Sequence, residues 1–326
     1  MKLLKRLTEA DAPSGREGEI QNIIITEAQK LGYEVSEDAL GSIIAHRPGK
    51  GKKLMLDAHI DEIGIIATYI DDNGFIRFGA VGGLYIKELH KRRVRFENGT
   101  IGVIGAEEKS FDEKAEISKL YVDIGAKNKR EAEKHVKPGD TAVFDGEFRK
   151  QGSTIISKAL DDRAGCYILL KAMEQIKNSD NDLYFVFSTQ EEVGLRGAKT
   201  AAFGIMPDYA IAVDVTDTGD TPSCEVMDVK LGGGAAIKVM DRSVMCDINV
   251  VRVLRKLAES GKIPHQTEIM ADGGTDAGAI ALTGSGVRAG GISLPVRYVH
   301  SPSELASADD IKACVKLVKA ACEYQW

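Results

Sequence analysis

Hydrophobic and polar positions change period along this chain, and each change marks a different kind of structure. From Arg16 to Leu31 apolar residues recur at helical spacing, with Ser14 and Glu17 forming a capping-box signature and Gly32 a stop, so the pattern predicts a helix over 16–31. GYEV and GSIIAHR follow, then KKLMLDAHID, whose run Leu54 to Leu56 reads as a buried strand ending near His59. Between about Ala67 and Ser157 the pieces are short, β-rich and punctuated by Gly, Asn and Asp, and the DNG and ENG turns flanked by Ile, Phe and Val are hairpin signals. Within this stretch Ser110 to Val136 is charged (GAKNKREAEKHV) and predicts a short surface helix. From Lys158 helices and strands alternate: DDRAGCYILLKAMEQI, LYFVFST, LRGAKTAAF, YAIAVDV, a Gly-rich LGGGAAIKV, INVVRVLRKLAES, GISLP and a final DDIKACVKLVKAA.

Strands separated by helices of this length imply a mostly parallel sheet covered on both faces. The expected fold class is therefore α/β: a three-layer, mostly parallel sheet with helices on both faces, discontinuous over 1–66 and 157–326, with a small β-barrel-like insert at 67–156. Composition narrows the partners. The 326 residues are 43% hydrophobic and 28% charged, too apolar for disorder. A net charge of −6 leaves no global cationic field for phosphate backbones, which argues against nucleic acid. Five cysteines, an odd number without CxxC spacing, point to a reducing compartment and away from a thiolate metal site. The first residues lack a signal-like apolar run before Asp11 and Pro13, and no stretch approaches the ~20 apolar residues of a membrane span, so the expectation is a cytoplasmic protein with no membrane partner.

In open α/β sheets the ligand site lies beyond the carboxyl ends of the strands, so the polar residues that end the apolar runs carry the chemistry. LMLDAHID ends in His59 and Asp61, LYFVFSTQEEVG in Glu191 and Glu192, and YAIAVDVTD in Asp214; Asp161 and Asp162 open a helix, and His300 follows GISLPVRYV. Two imidazoles and several carboxylates without Cys suit Zn²⁺, Co²⁺ or Mn²⁺, and they exceed the needs of one tetrahedral ion. Two metals bridged by a carboxylate and a water would use them all, with a spare carboxylate as base. Taken singly, Asp162 reads equally as a helix cap, Asp61 as a partner for a surface Lys, and His46, His90, His135 and His265 as structural or exposed. LGGGAAI and ADGGTDAGAI lack a phosphate-loop pattern and read as tight turns.

At these residues the chain resembles the tetrahedral and glutamyl aminopeptidase family of co-catalytic, zinc-peptidase-like metallo-aminopeptidases. The matching segments DAPSGREGEI, LMLDAHIDEIG, AVGG, SKALDDRAGC, STQEEVGLRGAKTAAF, AVDVTDTGDTP, GGTDAGAI and RYVHSPSE run almost the full length. The resemblance implies two divalent metal ions per subunit, zinc or cobalt with manganese as a further option. It implies His59 and Asp214 as ligands of one metal, Glu192 and His300 of the other, and Asp161 as the bridge. Asp61 then orients His59, Glu191 is the general base acting on a metal-bridging water, and Asp162 is a helix-start residue. It also implies peptide substrates with a free N-terminus, a dimerisation role for the insert, and a homo-oligomer built from dimers, up to a dodecamer. AVGGLYIKELHKRRVRF lacks the Trp-Xaa-Pro-Gln that usually follows the paired Gly, a departure bearing on the dimer contact. Three other readings stay open: a deacylase or carboxypeptidase-like amidohydrolase on the same dinuclear site, a glycoside hydrolase, and a non-catalytic shell-forming protein.

Overall fold

The structure, a computed structural model, describes residues 1–107 and 115–326. Among them an eleven-stranded sheet runs from one edge in the order Glu34–Glu37, Ile43–Arg47, Asp182–Ser188, Lys53–His59, Tyr209–Thr216, Arg288–Arg297, Glu304–Ser307, Thr154–Ser157 and Arg149–Gln151. Ala235–Met240 joins Arg288–Arg297 on a branch, with His265–Ile269 beyond it. The four strands from Asp182–Ser188 to Arg288–Arg297 are parallel, their outer neighbours pair with them antiparallel, and the last strand of the branch, His265–Ile269, pairs in parallel with Ala235–Met240. The parallel strands are buried almost end to end: in Lys53–His59 every residue after Lys53 is buried, the signature of a strand covered on both faces. Helix Leu160–Gln175 packs mainly on Lys53–His59 and Tyr209–Thr216 and against Ala308–Glu323.

The insert is a closed barrel of six strands, in the order Gly64–Ile70, Ile76–Val81, Leu120–Asp123, Ile101–Ala106, Arg93–Phe96 and Thr141–Phe144. Closure leaves no unpaired edge, which lets strands this short hold together around their own core of Ile65, Ile76, Phe96, Ile104 and Val122. The DNG and ENG turns close its hairpins, with Asp71 bonded across the first to Phe75 and Phe96 across the second to Thr100.

Some local expectations change. The early helix runs Gly18–Lys30, not from Arg16, and Ser14 does not cap it, because its hydroxyl is drawn to Asp61. Of 110–136, residues 110–114 lie outside the described residues, and the remainder holds a short 3-10 turn, the barrel strand Leu120–Asp123 and only a four-residue helix, Lys129–Ala132. Arg149–Gln151 and Thr154–Ser157, grouped with the insert by their β-rich pattern, belong to the large sheet, because Thr154–Ser157 finds its partner in Glu304–Ser307. No described helix is long and apolar enough to cross a membrane.

Candidate active site

Strand register decides which residues meet. Ser188 lies beside His59, and Ala212 beside Asp57, which sets Asp214 level with His59 two residues on. His59, the QEE turn and Asp214 therefore leave the sheet at one edge. His300 reaches the same edge from the end of Arg288–Arg297 through a turn in which Tyr298 and His300 have positive φ, 63° and 61°. Asp161 arrives from the broken start of helix Leu160–Gln175. It and Asp162 have non-helical backbone and are joined by a cis peptide, and the Asp162 carboxylate accepts the Gly165 N–H at 2.9 Å, as a helix cap does.

Asp161 is the meeting point. Its Oδ1 lies 3.0 Å from His59 Nε2 and its Oδ2 3.3 Å from His300 Nε2. Asp214 Oδ1 stands 3.9 Å from the same His59 nitrogen, and Glu192 Oε2 stands 3.3 Å from the same His300 nitrogen. Two groups result, His59–Asp161–Asp214 and Asp161–Glu192–His300, each with its ligand atoms within 4.8 Å of one another. Asp61, fully buried, lies behind them: its Oδ1 is 3.5 Å from His59 Nδ1 and accepts the Glu191 N–H at 2.9 Å. Its Oδ2 accepts the Ser14 hydroxyl at 2.6 Å and the Glu192 N–H at 3.2 Å. Asp61 thus holds an imidazole, whose Nδ1 lies 3.2 Å from its backbone carbonyl, and through its carboxylate the turn that carries the two glutamates.

The electrostatics follow from crowding charge away from water. Burial pushes Asp214 up to about 8, and it pushes Glu191 well above the ordinary carboxylate value although His59 opposes it. Burial would also raise Asp161, but hydrogen bonds from His300 and His59 hold it below the usual range. His300 rises to about 12, because Asp161 and Glu192 outweigh the burial that disfavours its charge. The cluster has more negative charge than its two imidazoles offset, and every donor is oxygen or nitrogen. The buried thiol of Cys166 is spent on the His59 carbonyl at 3.1 Å. These residues fit two hard-to-borderline divalent cations that share Asp161.

The cluster forms one wall of a cavity of about 810 Å³, to which Tyr85, Leu195, Asp217, Met270, Gly273 and Tyr298 also contribute. The paired glycines of AVGG have a steric reason: a Cβ on Gly82 would come within 3.1 Å of Glu192 Oε2, and one on Gly83 within 3.2 Å of the His300 ring. Of the remaining histidines, His46 stacks on Tyr184 at 4.3 Å and bonds Asp182 at 2.7 Å, and His265 bonds the Ile263 carbonyl at 3.0 Å. Three polar features escape sequence reasoning. Glu62 is buried against Lys158 at 2.7 Å and Arg163 at 3.4 Å. Ser188 bridges Asp57 and Asp276 at 3.2 and 2.7 Å. Glu304 accepts the backbone N–H groups of both Asp161 and His300. AHIDEIG, FST, TDAG and HSPSE did flag the segments, but nothing local separates these residues from surface polar ones.

Known proteins share the sequence and the fold of this chain. The model of the M42 glutamyl aminopeptidase family matches residues 41–317. An aminopeptidase candidate of Acetivibrio thermocellus is 54% identical over 98% of each chain. The structure of an aminopeptidase from the archaeon Desulfurococcus kamchatkensis is similar with a TM-score of 0.94 at 39% identity, covering 99% of this chain and 94% of that one. The TET1 peptidase of Pyrococcus horikoshii, described as able to assemble into a tetrahedron or a large octahedral shell, is similar with a TM-score of 0.89 at 34% identity over 98% of each chain. With the family match, the identities and the shared fold pointing the same way, the chain belongs to the M42 glutamyl aminopeptidase family and is a peptide hydrolase.

Proposed function

We propose that this aminopeptidase releases single amino acids from peptide N-termini at a dinuclear centre. His59 and Asp214 would hold one cation, Glu192 and His300 the other, and Asp161 both. The observation that carries this reading is Asp161 offering a separate oxygen to each imidazole, at 3.0 and 3.3 Å. When bound, two such cations, zinc or cobalt with manganese also suited, supply a Lewis acid for the scissile carbonyl and make water acidic enough to be deprotonated near neutral pH.

The protein's own side chains do the rest. Asp61 fixes the His59 ring and, through the backbone of Glu191 and Glu192, the placement of both glutamates. The Glu191 carboxyl, raised by burial, is basic enough to take a proton from the attacking water and acidic enough to return it to the departing amine nitrogen. The cavity beside them leaves room for the first residue of the peptide. The barrel as a dimer-forming module, in a homo-oligomer of up to twelve subunits, belongs to the same reading, and light scattering of the purified chain reads the assembly size directly.

Glu191→Gln tests the chemistry. It should keep full metal content while kcat on amino-acid p-nitroanilides falls about 10²-fold or more, and full activity in that variant would sink the base assignment. Running N-acetylated peptides beside free-amine peptides separates aminopeptidase from deacylase.

A further inference from the structure

Glu304 opens the strand Glu304–Ser307 and is 2% exposed. Its Oε2 accepts the N–H of Asp161 at 3.0 Å and its Oε1 accepts the N–H of His300 at 3.0 Å. Neither donor belongs to a regular element, since Asp161 stands at φ −78°, ψ 109° ahead of the regular helix and His300 at φ 61° in a turn. Neither finds another acceptor among the described residues.

The sheet explains why this residue is placed to do it. Glu304–Ser307 lies between Thr154–Ser157, which leads on to Asp161, and Arg288–Arg297, which leads on to His300. The two ligands leave the sheet on opposite sides of the Glu304 strand, and the carboxylate spans both exits. We infer that Glu304 is a positioning residue that fixes Asp161 and His300 relative to each other, and so sets how tightly the Asp161–Glu192–His300 group holds its cation.

A carboxylate is needed because two N–H donors must be met at once. A glutamine has one acceptor oxygen, and its amide nitrogen would oppose the second N–H. Glu304 bonds only backbone at the two ligands, so it acts through them rather than on substrate. The inference rests on the ligand assignment above.

The test is a Co²⁺ titration of the chelator-stripped full chain, followed by calorimetry and by visible absorption. Wild type should take up two ions. Glu304→Gln should weaken the second binding step by about ten-fold or more, the first step less, and alter the absorption of the second ion. Glu304→Asp, which keeps two acceptors one methylene short, should fall between them. A Glu304→Gln chain that binds both ions as wild type does, or loses both equally, overturns the inference. Should that variant fail to fold, the titration of Glu304→Asp decides, with unaltered affinity overturning the role. Uptake of fewer than two ions by wild type is a different failure, because it sinks the ligand assignment and the role of Glu304 with it.

Discussion

Asp217, Glu225 and Asp272 line the cavity beside the ligand cluster without an ion-pair partner among the described residues. The Arg297 of the same wall is engaged by Asp220, at 3.0 and 2.7 Å. A side chain entering this cavity therefore meets unbalanced negative charge even after the proposed ligand carboxylates are set aside. Peptides beginning with Lys or Arg should be cleaved with kcat/KM about ten-fold above those beginning with Glu or Asp, the effect of one partly screened charge contact. Asp217→Asn should narrow the gap without lowering metal content. Faster cleavage of acidic peptides would show that this charge does not select.

At the level of elements, the start of helix Leu160–Gln175 is held by charges rather than by a regular first turn. Lys158 is buried against Glu62 at 2.7 Å and Asp11 at 3.3 Å, while Arg163 reaches Glu62 at 3.4 Å and the Leu7 carbonyl at 2.6 Å. Lys158→Met leaves buried Glu62 with the Ala12 N–H and, as its charged partner, only the more distant Arg163, and breaking such a pair costs about 3–5 kcal/mol. A urea midpoint equal to that of wild type would refute this. The same segment shows what a sequence discloses. Apolar runs ending in His, Asp or Glu were legible, because a strand buried on both faces is mostly apolar and its change to polar residues marks its end, although Asp57 inside Lys53–His59 is a buried exception. The long helices and the hairpin turns were legible for equally local reasons. Ser14 was not, since a serine before a helix reads as its cap whereas this one bonds Asp61, 47 positions away. Glu304 was not, since its partners are backbone N–H groups, one of them 143 positions away, which no residue pattern records. The break at Asp161 was not, because DDRAGCYILL carries an unbroken helical period.

At the scale of the molecule, the barrel is latched to the α/β body by Arg95, whose guanidinium donates to both Asp11 oxygens at 2.8 and 2.7 Å. Burial would raise the Asp11 pKa, but Arg95 and Lys158 hold it below the ordinary carboxylate value. Its folded value is thus below its unfolded one, so this stabilisation is present above the ordinary carboxylate range and is lost as pH falls through the depressed value. Acid unfolding followed by circular dichroism should show a shallower dependence over that window for Asp11→Asn, and an unchanged slope would assign the acid limb to other groups. The latch matters because of where the barrel is inserted. His59 and Asp161, which meet at 3.0 Å, are 102 positions apart, and the barrel occupies most of that interval. Unfolded, it is a long tether that dilutes each of these side chains in the neighbourhood of the other; folded, it is a splint that raises their effective concentration. On the proposed dinuclear reading, retention of the ions is then a property of the insert as much as of the cleft, and whatever loosens the barrel would loosen the grip on metal without touching a proposed ligand.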